Sequence, residues 1–195
     1  MSTAAWSPLS LAVLCAGVGY GCSTRLLADR VAEAVCRSLA AGGVRAEVEM
    51  LELHRLAADL AQCSAQGRVG LDLRKAIAAV VTADGQTDGL VVAAPALAAS
   101  PSKVFDSFFA VLGDKVLSGV PVLLVLDSGS HRQPPDLAQV MRTCLTSVQA
   151  EPVPTVAVAG PADWQTAAGS NAGRLRACID RAAVELATAM RSRRQ

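Results

Sequence analysis

The start of the chain constrains its fold more than any other feature. An apolar run, Leu9 to Ala16, gives way at once to Gly17, Gly19 and Gly21, and then to a stretch in which Leu27, Val31, Val35 and Leu39 recur every fourth residue. A run that short and that continuously apolar reads as a strand buried on both faces. The recurrence behind it places an apolar stripe along one side of a helix, beside which Arg25, Asp29, Glu33 and Arg37 form a polar row able to pair at i,i+4. Strand, glycine loop and helix in that order open a parallel sheet covered by helices.

The alternation continues. Ala41-Gly42-Gly43 stops the first helix, and Val44 to Leu53 alternates apolar with charged residues, the period of an edge strand with one wet face. His54 to Gly70 has no clear period and is rich in small residues, so it reads as an irregular connection. Leu73, Ile77, Val80 and Val81 mark a second helix, and Gly89 to Ala94 a doubly buried strand ending at Pro95. Ser100-Pro101 reads as a cap with proline at the first helical position, followed by the stripe Val104, Phe105, Phe108, Phe109 and Leu112. Val120 to Leu126 is a fourth strand, Leu137 to Val148 a helix, and Thr155 to Ala159 a fifth strand. Ala172 to Met190 closes the chain as a helix with Leu175, Ile179, Ala182 and Leu186 inward, and residues 191–195 read as a frayed end.

Right-handed crossovers leave few ways to arrange five such strands. The reading is one α/β domain over residues 1–195, with flexible ends at 1–8 and 191–195. It is a three-layer sandwich around a five-stranded parallel sheet in the order 2-1-3-4-5, the flavodoxin-like arrangement. With 52% hydrophobic and 18% charged residues, the chain has the apolar material for one large core. A net charge of +1 supplies no field to hold a nucleic acid or an anionic membrane. The longest apolar stretches fall short of the roughly 18 residues of a membrane span. No Lys or Arg precedes Leu9 as a secretory signal requires, so a cytoplasmic protein is expected. Six cysteines without a Cys-x-x-Cys pair, and His54 and His131 without further ligands at suitable spacing, point to no metal and no disulfide framework.

In a sheet of this order the ligand lies beyond the carboxyl ends of the strands. Three loops meet there: Gly17 to Thr24, Pro95 to Ser102, and Asp127 to Pro135. The first joins glycines, two adjacent hydroxyls and a helix N-terminus, which together suit a phosphate. It is neither a Walker loop nor a dinucleotide G-x-G-x-x-G, since no Gly-Lys-Ser/Thr follows and Cys22 stands at the third glycine's place. Cys22 itself reads as small filler beside the helix start.

The segments AGVGYGCSTRLLADR (Ala16 to Arg30), APALAASPSKVFDSFF (Ala94 to Phe109), DSGSH (Asp127 to His131) and Val153-Pro154-Thr155 resemble the NADPH-dependent FMN reductases of the flavodoxin-like superfamily. The likeness covers nearly the whole chain and is strongest to the branch that supplies reduced flavin to two-component monooxygenases. It implies FMN as cofactor and NADPH or NADH as electron donor. Gly21, Ser23, Thr24 and Arg25, with Cys22 in the same loop, would hold the FMN phosphate. Pro95, Ala96, Leu97 and Ala98 would lie along the isoalloxazine and ribityl chain, and Ser128, Gly129 and Ser130 at the pyrimidine edge. Arg25 and Arg132 would meet the NADPH phosphates, and Tyr20 and Trp164 would be free to cover or stack on the flavin. Hydride transfer needs stacking more than a side-chain base, so no catalytic side chain is expected. A homodimer, or a dimer with a paralogue, goes with the family, with the Phe stripe and residues 56–69 as surfaces for it. The chain departs from the family pattern at Leu97-Ala98, where an aromatic and a polar residue are usual, at Lys103, and at Asp127-Ser128, where Thr-Gly is usual. Those departures leave a second reading open: a flavodoxin-fold subunit with a degenerate flavin site, acting as a binding partner or recruited to another biosynthetic reaction.

Overall fold

A computed structural model describes residues 7–17, 22–81, 87–96, 102–113, 115–128, 134–164 and 170–194. The strands are β1 (Leu9–Cys15), β2 (Ala46–Glu52), β3 (Gly89–Pro95), β4 (Pro121–Asp127), β5 (Glu151–Pro152) and β6 (Ala157–Ala159). All pairings are parallel, in the order β2-β1-β3-β4-β5, with β6 also on β4. The order is the one expected. The fifth position, however, is two short pieces rather than one strand from Thr155. Glu151 N and Val153 N donate to Val120 O and Val122 O of the β4 side at 2.8 Å each, but the next N–H in that alternation, that of Thr155, goes to Glu185 Oε2 at 2.8 Å, so pairing with β4 lapses there and resumes at Ala157.

Side chains alternate across the sheet and so build two cores. Leu11 and Val13, Val91 and Ala93, Leu123 and Val125 face α1 (Ser23–Ala41) and α6 (Ser170–Arg193). Ala12 and Leu14, Leu90 and Val92, Leu124 and Leu126 face α2 (Ala57–Gln66), α3 (Leu71–Val80), α4 (Lys103–Leu112) and α5 (Pro134–Ser147). The stripe read from α1 is fully buried, as are Leu186 and Ala182 of α6. β2 lies at the open edge as expected, and Val48 there stays 44% exposed.

Three local readings change. The segment from 54 to 70 is helical rather than irregular: a 3-10 turn, Leu53–Leu56, runs into α2. Leu53, Leu56 and Leu60 bury one narrow apolar edge, too sparse among alanines and polar residues to show as a period, and Gly67 in the left-handed conformation (φ 66°) ends the helix. The cap of α4 is Ser102, whose Oγ accepts from Phe105 N at 3.3 Å, so the helix begins two residues after the Ser100-Pro101 cap predicted for it. The last helix continues to Arg193 where fraying is predicted. Arg193 donates to Thr87 O at 2.9 Å, and Arg194 pairs with Asp88 at 3.3 Å.

Candidate active site

Three loops leave adjacent strands side by side at the carboxyl edge. Backbone bonds carry the ladder one residue past the strand ends: Ala16 N to Ala93 O at 2.8 Å, Ala96 N to Asp127 O at 2.8 Å and Ser128 N to Ala159 O at 2.7 Å. Ser128 also donates its hydroxyl to Ala159 O at 2.9 Å. The amides of Ala96 and Ser128 are therefore spent within the protein, as is the Ser128 hydroxyl. Pro95 and Ala96 sit beside Asp127 and Ser128 in register, so these parts of the two predicted loops are brought together. Leu97, Ala98, Gly129 and Ser130, with Gly21, Tyr20, His131 and Arg132, lie outside the described residues.

Beyond β1, Gly17 is approached so closely that a Cβ there would lie 2.7 Å from Cys22 Sγ and 2.9 Å from Thr24 Cβ. Cys22 packs against the glycine. Cys22 is the N-cap of α1 in an extended conformation, its carbonyl accepting from Arg25 N and Leu26 N at 3.0 and 3.1 Å. It caps nothing with its side chain, and no acid stands in the first turn of α1. The helix therefore has no acid of its own to offset the positive end of its dipole, the setting in which negative charge is favoured.

The hydroxyls of Ser23 and Thr24 both donate to Asp127 Oδ2, the latter at 3.1 Å. Thr24 is 2% exposed and Asp127 5%. Asp127 is the site residue that sequence reasoning passed over as a binding group. The signal was present in an acid closing an otherwise apolar strand, yet nothing local connects it to a helix start more than a hundred residues away. Arg25 bonds Asp29 Oδ1 at 3.1 Å and Glu52 Oε1 at 2.9 Å, and Glu52, at the end of β2, also pairs with Arg55. Its charge is thus shared between two carboxylates.

Trp164, in the 3-10 turn Pro161–Trp164, packs against the α1–α6 core with the Arg30 guanidinium 5.1 Å from its ring centre. Its Nε1 is buried with no partner among the described residues. A cleft of about 470 Å³ lies beside it, lined by Arg30, Arg37, Asp163, Arg176 and Asp180 among others.

Beneath the first loop Cys15 is buried, and burial above all pushes its thiol up to about 11 from 9.0. The folded protein then keeps a proton that the unfolded chain releases. This contribution to stability is whole below about pH 9 and is lost as pH rises towards about 11. Cys15 is accordingly expected to resist iodoacetamide at neutral pH while the protein is folded, read by peptide mass after quenching. Rapid labelling there would contradict its burial.

The sheet order, with its binding edge at the N-terminus of α1, defines a flavodoxin-like α/β protein. The sequence matches the NADPH-dependent FMN reductase family over residues 9–165, and the chain belongs to that family. Membership brings FMN as the flavin and NAD(P)H as the electron donor. The structure is similar to that of an oxidoreductase from Corynebacterium diphtheriae, with 32% identity, 95% of this chain and 98% of that one covered, and a TM-score of 0.86. It is also similar to the apo form of an NADH:FMN oxidoreductase, EmoB (20% identity, 90% and 89% covered, TM-score 0.70), and to oxidised flavodoxin 1 from Bacillus cereus (13%, 91% and 97%, TM-score 0.56). At these lower identities what is shared is the fold. No curated protein matches the sequence.

The described residues fit a flavin in part. The start of α1, whose own first turn holds no acid, and the adjacent Pro95 and Ser128 strand ends suit a flavin lying across the edge. The two side-chain hydroxyls that the resemblance assigns to the phosphate are held by a carboxylate.

Proposed function

We propose that the protein is an NAD(P)H-dependent flavin reductase that releases reduced flavin to a partner monooxygenase. Bound flavin supplies the hydride acceptor, its ring nitrogen N5. What the chain supplies is position. The observation that carries this reading is the meeting of the β1, β3 and β4 exits at the start of α1, the edge to which the resemblance assigns the flavin, in a chain of the FMN reductase family. The phosphate is assigned to the first loop, Gly21 to Arg25, the ring and ribityl chain to Pro95 through Ala98, and the pyrimidine edge to Ser128 through Ser130. Because the amides of Ala96 and Ser128 are engaged in the sheet, stabilisation of charge on the ring falls to groups further along those loops.

The purified protein is expected to quench flavin fluorescence saturably and to oxidise NADPH or NADH only when flavin is added. A folded sample that does neither would overturn the reductase and favour the degenerate subunit, a reading to which the Asp127 contacts lend their weight. Flavin that leaves the protein on gel filtration after reduction is the corresponding result for transfer to a partner.

The two-fold assembly expected of the family needs a different surface from the Phe stripe, because Phe105, Phe108 and Phe109 are all buried within the protomer. Val69 before α3 and Leu71 at its first position, 36% and 67% exposed, are the large apolar residues left for it near residues 56–69. No helix among the described residues is long and apolar enough to cross a membrane. The reading places the protein in the cytoplasm, where its nicotinamide donor is made.

A further inference from the structure

We propose that Asp127 sets the flavin selectivity of the site. By holding the Ser23 and Thr24 hydroxyls it denies them to a 5′-phosphate, so FMN and riboflavin bind with similar affinity and the flavin is an exchangeable substrate. This rests on the flavin-reductase reading above. A phosphate at a helix start is bound by first-turn amides together with nearby hydroxyls. Here both hydroxyls of the first turn point at one carboxylate oxygen. That carboxylate is not a loose surface group that a ligand could sweep aside. It is 5% exposed, and its backbone is the last residue of β4, bonded through its carbonyl to Ala96 N at 2.8 Å and paired in register with Pro95 of β3.

A phosphate arriving at the start of α1 therefore meets a fixed like charge and finds two donors already used. Either it forgoes the hydroxyls or it displaces the acid, and both choices remove affinity that the phosphate would otherwise contribute. Arg25, the cation of that first turn, does not redress the balance, since Asp29 and Glu52 already share it. The isoalloxazine and ribityl contacts are untouched by this conflict. Discrimination thus falls on the phosphate alone, and a flavin that gains little from its phosphate is released readily after reduction.

The test is Asp127→Asn, which keeps the size but removes the charge, leaving the hydroxyls only a neutral acceptor that a phosphate outcompetes. Asp127→Thr is a second variant, branched at Cβ and so suited to a strand end, should the first fail to fold by circular dichroism. FMN and riboflavin are titrated separately by fluorescence quenching, and KM is measured for each. In the wild type the two affinities are expected to agree within about threefold. In the variant FMN should tighten by about tenfold or more, with its KM falling in step, while riboflavin moves by less than about twofold. If the wild type already prefers FMN by more than about tenfold, or the ratio of the two affinities is unchanged in a folded variant that still reduces flavin, the inference falls and the reductase stands. If neither flavin binds to wild type or folded variant, the reductase reading falls and the inference with it.

Discussion

Replacing Phe108 by alanine is expected to lower stability by about 3–5 kcal/mol, the largest effect of any single change considered for this chain. The ring is fully buried between α4 and the sheet, in the core shared with α2, α3 and α5. It meets Phe109 edge-on at 5.9 Å and 88°, and Phe109 in turn lies 4.6 Å from Phe105. Truncation forfeits the transfer of the ring from water and leaves a cavity, because its neighbours are anchored on a sheet and two helices that cannot all close in. Edge-to-face contact with Phe109 is lost as well, a further share of about 1 kcal/mol. Phe108→Leu retains most of the volume and should cost well under half as much. The check is the shift of the urea midpoint at constant slope. A loss below about 1 kcal/mol for the alanine variant would mean that α4 is not seated on the sheet.

The second large effect lies at the opposite, amino edge of the sheet. Asp88 Oδ2 accepts from Ser10 N at 2.7 Å, while Asp88 N donates to Ser10 O at 3.0 Å, a two-way clasp between β1 and the residue that leads into β3. Its other oxygen pairs with Arg194 of the last turn at 3.3 Å. Asp88→Ala leaves a strand amide without its acceptor at a site only 9% exposed, and a loss of about 2–3 kcal/mol is expected. Asp88→Asn keeps an acceptor for Ser10 and gives up only the ion pair. Since the Arg194 side chain is 39% exposed, solvent screens that pair, and the loss should stay below about 1 kcal/mol. Equal losses in the two variants, measured by the same denaturation, would show that the ion pair and not the clasp holds this edge.

What could be read from the sequence follows from how local each signal is. The four-residue stripe of α1 and the unbroken apolar runs of β1, β3 and β4 report burial directly, because a fully covered strand or a single buried helix face leaves little freedom of residue type. α2 was missed because only Leu60 of its ten residues is buried, and a helix that rests so lightly on the core leaves almost no period. The break in the fifth strand leaves no local mark, because it depends on the Thr155 N–H turning to Glu185 of α6, thirty residues on. The start of α4 shifted to Ser102 because two serines flank Pro101 and either can cap; the acceptor geometry at Phe105 N decides between them.

The same division runs through the site. The first loop, its glycines and its adjacent hydroxyls are contiguous in the chain, so the sequence by itself determined that a helix start with donors lies at the binding edge. It determined as well, through strand count and crossover handedness, which three loops share that edge. Only the tertiary structure decided what those donors face. Asp127 reaches Ser23 and Thr24 and Glu52 reaches Arg25 because β4 and β2 end level with the start of α1, and Arg30 covers Trp164 where α1 meets the turn that follows β6. Hydrogen bonds and ion pairs fall off within a few ångströms, and in a parallel sheet the residues at that range are supplied by strand ends a whole crossover or more apart in sequence.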